Sequence, residues 1–373
     1  MRIAQIAPLF ESVPPRLYGG TERVVSYLTE ELIRQGHQVT LFASGDSITS
    51  AELVPCTSRA LRLDPNVRDP IPHYTLMLDN VRERAADFDI LHFHIDYLHF
   101  PLFRSKAART VTTLHGRQDL ADHMPFYHRF SDMPLISISN AQRTPLRGAK
   151  FIGTVHHGLP LNLHKPSGTP TGGYLAFLGR ISPEKRPDRA IAIARAAGLP
   201  LKIAAKIDKV DDTYFRGVIA PLLEGTEVEF VGEINKSAKT EFLGQAAGLL
   251  FPIDWPEPFG LVMIEAMACG TPVLAFPGGS VPEIIEDGLT GHIVSNIEEA
   301  VQAIPELLAL DRKAIRARFE QRFSSRRMAS DYLKIYQTIL RRHPASDIQV
   351  SPVATLSAAR NQPAGRSHSV DPD

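Results

Sequence analysis

The chain has 373 residues, 43% of them apolar and 22% charged, with 41 Lys and Arg set against 41 Asp and Glu. This is globular composition, long enough for two cored domains, and it excludes a disordered or fibrous chain. The zero net charge excludes a dedicated nucleic-acid binder, and without 18 consecutive apolar residues no membrane-spanning helix is expected.

The opening Met1-Arg2-Ile3-Ala4-Gln5-Ile6 is too short in apolar residues for a signal peptide and reads as a buried strand. Cys56 and Cys269 are the two cysteines, too far apart for a disulfide framework or a metal-site spacing, which points to a reducing cytoplasm. Strand-like runs follow at 3–9, 38–43, 90–94, 110–114, 135–139 and 151–155. Between the first two, 21–35 has helical spacing, with Val24, Val25, Leu28, Leu32 and Ile33 on one face and Gly36 placed to end it. The pattern restarts with strands at 174–179, 201–206, 228–231, 248–253 and 272–276 and helices at 187–197, 236–246 and 261–268. Strands alternating with helices predict an α/β fold with two parallel, doubly wound sheets. The expected layout is a first domain over 1–162, a Pro- and Gly-rich linker over 163–173 and a second domain over 174–324. A helix over 325–342 and a disordered tail over 343–373 complete it.

The zero total conceals an asymmetry. Residues 312–342 hold ten basic side chains against Glu320 and Asp331, a local balance of +8 set against −8 in the remainder. Two readings fit: a solvated face paired with acidic neighbours, or attraction to an anionic lipid surface.

Ligands of doubly wound sheets sit beyond the carboxyl ends of the strands, so residues following strands carry the chemistry. Gly19-Gly20, between the first strand and first helix, suits a phosphate cradle, although it also fits a plain loop capped by Thr21. Arg180 and Lys185 follow the first strand of the second half and suit a diphosphate. Ser182-Pro183-Glu184 reads there as a helix start. Glu257 and Glu265 bracket a loop-to-helix transition through Pro258-Phe259-Gly260-Leu261. Two carboxylates accept hydrogen bonds from hydroxyls, and the N–H groups of Phe259, Gly260 and Leu261 can hold a phosphate. The alternative is a capping Glu257 and a surface Glu265. That is costly for Glu265 among Ile264, Ala266 and Met267.

Together, Gly19-Gly20, Arg180 with Lys185, and Glu257 with Glu265 around Pro-Phe-Gly-Leu resemble the retaining glycosyltransferases of family 4, with the GT-B fold. Gly278–Glu283 and Asp287–Gly291 resemble that family's C-terminal pattern. The resemblance spans about residues 1–340. It implies a cytoplasmic enzyme that moves a hexose from a nucleoside-diphosphate sugar, of UDP-glucose or GDP-mannose type, to an acceptor hydroxyl in glycoconjugate synthesis. It implies catalytic roles for His115, Arg180, Lys185 and Glu257. Gly19, Gly20, Phe259, Gly260, Leu261 and Glu265 would bind substrate, Glu265 through the ribose. No cofactor or metal is expected, and the helix 325–342 would return to the first domain. The acceptor is unspecified, with 98–109 and 118–133 as the expected acceptor loops.

His92-Phe93-His94-Ile95-Asp96 is a rival metal reading, since His92 and His94 share a strand face; the alternative places His94 or Asp96 beside the acceptor. A dinucleotide oxidoreductase would need Gly-x-Gly-x-x-Gly after a first strand, which is missing. A sugar-nucleotide epimerase and a non-catalytic nucleotide-sugar binder stay open.

Overall fold

A computed structural model of the chain describes residues 1–16, 19–166, 172–225 and 227–342. The expected tail at 343–373 and residues 167–171 of the expected linker lie outside them. The first seven strands are β1 (Arg2–Ile6), β2 (Gln38–Ser44), β3 (Glu52–Thr57), β4 (Ile90–Phe93), β5 (Thr110–Thr113), β6 (Leu135–Ser137) and β7 (Phe151–Thr154). They form one sheet in the order β3-β2-β1-β4-β5-β6-β7. A second sheet contains β8 (Leu175–Arg180), β9 (Leu201–Lys206), β10 (Val228–Gly232), β11 (Gly248–Phe251), β12 (Val273–Ala275) and β13 (Gly291–Ile293), in the order β10-β9-β8-β11-β12-β13. Every strand pairing is parallel. In each sheet the order reverses direction once, beside β1 and beside β8. A crevice forms at such a switch point, because successive connections there leave on opposite faces.

The helix Gly20–Arg34 buries Val24, Val25, Leu28 and Leu32 against the first sheet. It ends as its sequence requires. Gly36 takes φ 84°, its N–H reaches Ile33 O at 2.8 Å, and His37 N–H reaches Leu32 O at 3.1 Å. That pair of bonds satisfies carbonyls the helix leaves open.

Several elements differ from expectation. β1 stops at Ile6; Ala7 N–H still reaches Phe42 O at 3.0 Å, and the chain then leaves the sheet although Leu9 stays buried. β3 went unread because Pro55 interrupts it; as an edge strand it can lack one donor. The helix Ile71–Glu83 carries Ile71 and Leu76 exposed, which blurs its period. Ser182 does not start a helix. Residues 183–185 form a turn, with Lys185 N–H on Ser182 O at 3.1 Å, and the helix begins at Pro187. Proline suits that first helical position, where no internal N–H bond is lost.

The helix Ser325–Arg342 lies against the first sheet, burying Met328, Ala329, Tyr332, Leu333, Tyr336 and Ile339 among Ile3, Leu28, Val111 and Ile136. Much of the basic stretch is spent on the protein itself. Arg312 donates to Gly244 O and Ala246 O, and Arg322 to Glu283 O and the Glu286 carboxylate. Arg327 donates to the carbonyls of His156 and His157 at 2.8 Å. Arg316 reaches Leu161 O at 2.7 Å, His164 O at 2.6 Å and Ala268 O at 2.5 Å, tying the interdomain segment to the end of the helix Leu261–Ala268. Arg316→Met would leave these carbonyls without that donor. We expect a loss of about 3 kcal/mol in chemical denaturation, against less than about 0.5 kcal/mol for exposed Lys313→Met.

Candidate active site

The carboxyl ends of β1, β5, β8 and β11 open onto one cleft of about 960 Å³ between the two sheets. Its walls contain all ten residues selected from the sequence: Gly19, Gly20 and His115 on the first side, and Arg180, Lys185, Glu257, Phe259, Gly260, Leu261 and Glu265 on the second.

Two helix N-termini converge there. Gly20 opens the helix Gly20–Arg34, and a Cβ at Gly20 would stand 3.7 Å from Leu261 Cδ1, the first residue of Leu261–Ala268. First-turn N–H groups have no partner within their own helix, and the aligned peptide dipoles favour an anion. The entry to the second helix is set by Gly260, which caps it at φ 76°; a Cβ there would meet Met263 Cε at 2.7 Å. Gly279 supports the same loop from behind. Its φ is 57°, and a Cβ would fall 2.2 Å from Glu257 O. Ser280 then donates from N to Glu257 O and from Oγ to Phe259 O. The Gly-Gly-Ser stretch thus fixes the Glu257 loop by close backbone approach.

The charges are pre-paired. The Lys185 ammonium contacts the Glu257 carboxylate and sits 4.8 Å from the centre of the Trp255 ring, whose Nε1 donates to Glu257 Oε2 at 2.9 Å. Arg180 lies among three carboxylates: Asp211 at 3.3 Å, Glu184 at 3.7 Å and Asp208 at 3.8 Å. Glu265, 3% exposed, accepts from Lys239 Nζ with both oxygens, at 2.8 and 3.0 Å. Burial alone would raise its pKa; the charges of Lys239, His164 and Arg23 outweigh burial and hold it below the usual carboxylate range. A carboxylate oxygen can accept two hydrogen bonds, so each Glu265 oxygen can take a donor besides Lys239.

His115 projects beyond β5 with its ring 5.4 Å from, and nearly parallel to, that of His157. His157 in turn meets Phe259 edge-on at 4.7 Å, so the imidazoles link the two walls. Burial pushes the His115 pKa down to about 3.

Glu22, in the first turn of the first helix, is 6% exposed and faces the cleft. Burial raises its pKa to about 7; its own backbone N–H and Arg62 work against that shift, Glu11 with it. Between pH 4.5 and about 7 the unfolded carboxyl ionises while the folded one keeps its proton. The unfolded state then binds fewer protons, and stability falls as pH rises through this window. Glu22→Gln should abolish the fall, worth on the order of 3 kcal/mol, in denaturation curves at pH 5 and pH 8.

Not every expectation places a residue here. Neither 98–109 nor 118–133 contributes to the cleft wall; Pro8, Phe10, Glu11, Pro14, Pro15, Arg16 and Arg62 form that side instead. His94 lies behind His115 and Asp96 lies outside the lining. Both His92 nitrogens are occupied, by Tyr336 OH and Thr113 Oγ1. Among the described residues no group of three or more His, Cys, Asp or Glu is arranged to hold a metal. Trp255 and Lys239 were not selected from the sequence. The one signal for Trp255 is that it is the chain's single tryptophan, inside the Glu257 motif; Lys239 gave none.

Two parallel α/β sheets facing across a cleft define a protein of the GT-B class. Residues 18–143 match the family described as Glycosyltransferase Family 4, and residues 162–324 match Glycosyl transferases group 1. The chain belongs to the family 4 type of GT-B glycosyltransferases. A D-inositol 3-phosphate glycosyltransferase of Mycobacterium leprae (strain Br4923) is 34% identical over 182 residues, 43% of this chain and 41% of that relative. The chain thus spans about two fifths of that relative's length. Among solved structures, sucrose-phosphate synthase from Thermosynechococcus elongatus superposes with a TM-score of 0.75 at 20% identity, covering 91% of this chain and 99% of that one. Anabaena HepE in complex with UDP and glucose gives 0.66 at 19%, covering 91% and 100%. These two likenesses concern the fold.

Proposed function

We propose that the protein transfers a hexosyl group from a nucleoside-diphosphate sugar to an acceptor hydroxyl, with retention at the anomeric carbon. One observation carries this reading: the convergence of two helix N-termini with Arg180 and Lys185 on one cleft, beside the paired carboxylates Glu257 and Glu265. In the reaction the anomeric carbon becomes cation-like while the diphosphate gains charge. Fixed cations and N–H dipoles aimed at the leaving group lower that barrier. Glu265 takes the ribose hydroxyls through its open lone pairs, and Glu257, held by Lys185 and Trp255, accepts from sugar hydroxyls. Glu257 is given no nucleophilic role. The acceptor attacks from the leaving-group face and gives its proton to the departing phosphate, and it enters along Glu11, Arg16 and Arg62. The UDP and glucose of the HepE structure favour a UDP-hexose donor.

No metal or other cofactor is part of this proposal. Weak peripheral contact with an anionic membrane would rest on the exposed Lys313, Arg326, Lys334, Arg341 and Arg342.

Incubation with a panel of UDP- and GDP-sugars should release free nucleotide slowly without acceptor and faster with a productive one, and NMR of the product should show the donor's anomeric configuration. Absence of both binding and nucleotide release across the panel overturns the reading. Epimerised sugar nucleotide in place of free nucleotide would favour an epimerase.

A further inference from the structure

Behind His115 the first sheet holds a chain of buried polar groups: Gln5 on β1, His92 on β4 and His94 just after it, Thr113 on β5, and Tyr332 and Tyr336 on the helix Ser325–Arg342. The direction of each bond follows from the orientation of the Gln5 amide. Gln5 Oε1 lies 2.7 Å from His94 Nε2 and can only accept, so His94 carries a proton on Nε2. Burial, with the neighbouring imidazoles, holds the His94 pKa well below the ordinary histidine range and keeps the ring neutral. Its Nδ1 is therefore a bare acceptor, and His115 Nε2, 2.9 Å away, must donate to it. His115 is itself neutral, so its Nδ1 carries no proton. That atom is buried and has no hydrogen-bond partner among the described residues.

The other contacts agree with that orientation of Gln5. Its Nε2 donates to Tyr336 OH at 3.4 Å. Tyr336 gives its own proton to His92 Nδ1 at 2.6 Å, His92 Nε2 donates to Thr113 Oγ1 at 2.7 Å, and Thr113 donates to Tyr332 OH at 3.1 Å. Turning the Gln5 amide over would reverse these bonds, put a proton on His115 Nδ1 and bury that N–H without a partner among the described residues, which folded proteins tolerate less well than an unfilled acceptor.

Resting on the sugar-transferase reading of the cleft, we propose that Gln5 and His94 are positioning residues that lock His115 in the Nε2–H tautomer, so that Nδ1 accepts a hydrogen bond from a hydroxyl of the bound sugar. A neutral ring with a bare lone pair attracts a hydroxyl and repels an anionic oxygen. His115 thereby sorts the sugar from the diphosphate, which the cations and helix N-termini hold. A free imidazole exchanges between tautomers, and the lock spares the substrate that selection.

The test uses the full chain with ¹⁵N-labelled histidine and long-range proton–nitrogen correlation near pH 7, with His115→Gln to assign the signal. A protonated Nε2 and bare Nδ1 at His115 is expected; an Nδ1–H tautomer or an imidazolium there overturns the lock. Gln5→Met, close in shape but without the acceptor, should mix the tautomers of His115 and lower kcat about tenfold at unchanged donor KM. An unaltered tautomer and kcat in a folded Gln5→Met variant also overturns it. The wild-type spectrum needs neither substrate nor variant. A chain that turns over no nucleoside-diphosphate sugar therefore fails the transferase reading visibly and separately from the lock.

Discussion

Lys185→Ala is expected to lower kcat for sugar transfer by about 10²–10³-fold while moving the donor KM little. In the proposed reaction the ammonium faces the diphosphate as it gains charge, and its contacts hold it in the cleft. Glu257 and the Trp255 ring hold it in place at 21% side-chain exposure, so little solvent must reorganise when the leaving group forms. An interaction that strengthens only as the bond breaks acts on kcat and hardly on ground-state binding. The same change leaves Glu257 the Trp255 Nε1 donor at 2.9 Å, while Ser280 still holds the loop through Glu257 O and Phe259 O, which isolates the electrostatic loss. Single-turnover kinetics with saturating donor would read the chemical step directly. A Lys185→Ala enzyme within about threefold of wild type would sink the leaving-group role.

The sequence exposes the parts of this machine that local patterning controls. Helical spacing and Gly36 specify the helix Gly20–Arg34 down to its terminating bonds, because those bonds involve residues 32–37 and nothing distant. Glu257, Gly260 and Glu265 are legible for the same reason: their spacing builds one loop-to-helix corner. What stays hidden depends on groups brought together from afar. Glu22 reads as an ordinary first-turn acid; its burial comes from the cleft around it. Part of the first-domain wall comes from residues 8–16 and Arg62, a stretch without any periodic signal, whereas 98–109 and 118–133 do not line the cleft. The basic run 312–342 looked like a surface feature because charge alone was visible. In the fold, Arg312, Arg316, Arg322 and Arg327 point at main-chain carbonyls that no sequence pattern announces.

Glu265 offers the sharpest separation between holding the fold and holding the ligand. Glu265→Gln removes the negative charge that both contacts of Lys239 depend on, and Lys239 is only 15% exposed. Breaking a buried pair from one side strands the other charge, so stability should fall by about 3–5 kcal/mol. Nucleotide affinity should fall as well, by about 10- to 100-fold, because a neutral amide accepts hydroxyl hydrogen bonds more weakly than a carboxylate and with one oxygen in place of two. These losses have different causes and should come apart in the double variant. Adding Lys239→Met removes the stranded ammonium and fills its channel with a chain of similar shape. A buried pair replaced on both sides is close to neutral for stability. Glu265→Gln with Lys239→Met should therefore regain most of the unfolding free energy while nucleotide binding, followed by calorimetry, stays weak. Recovery of both would reduce Glu265 to a structural counter-ion, and recovery of neither would mean that Lys239 holds the loop through contacts beyond its charge.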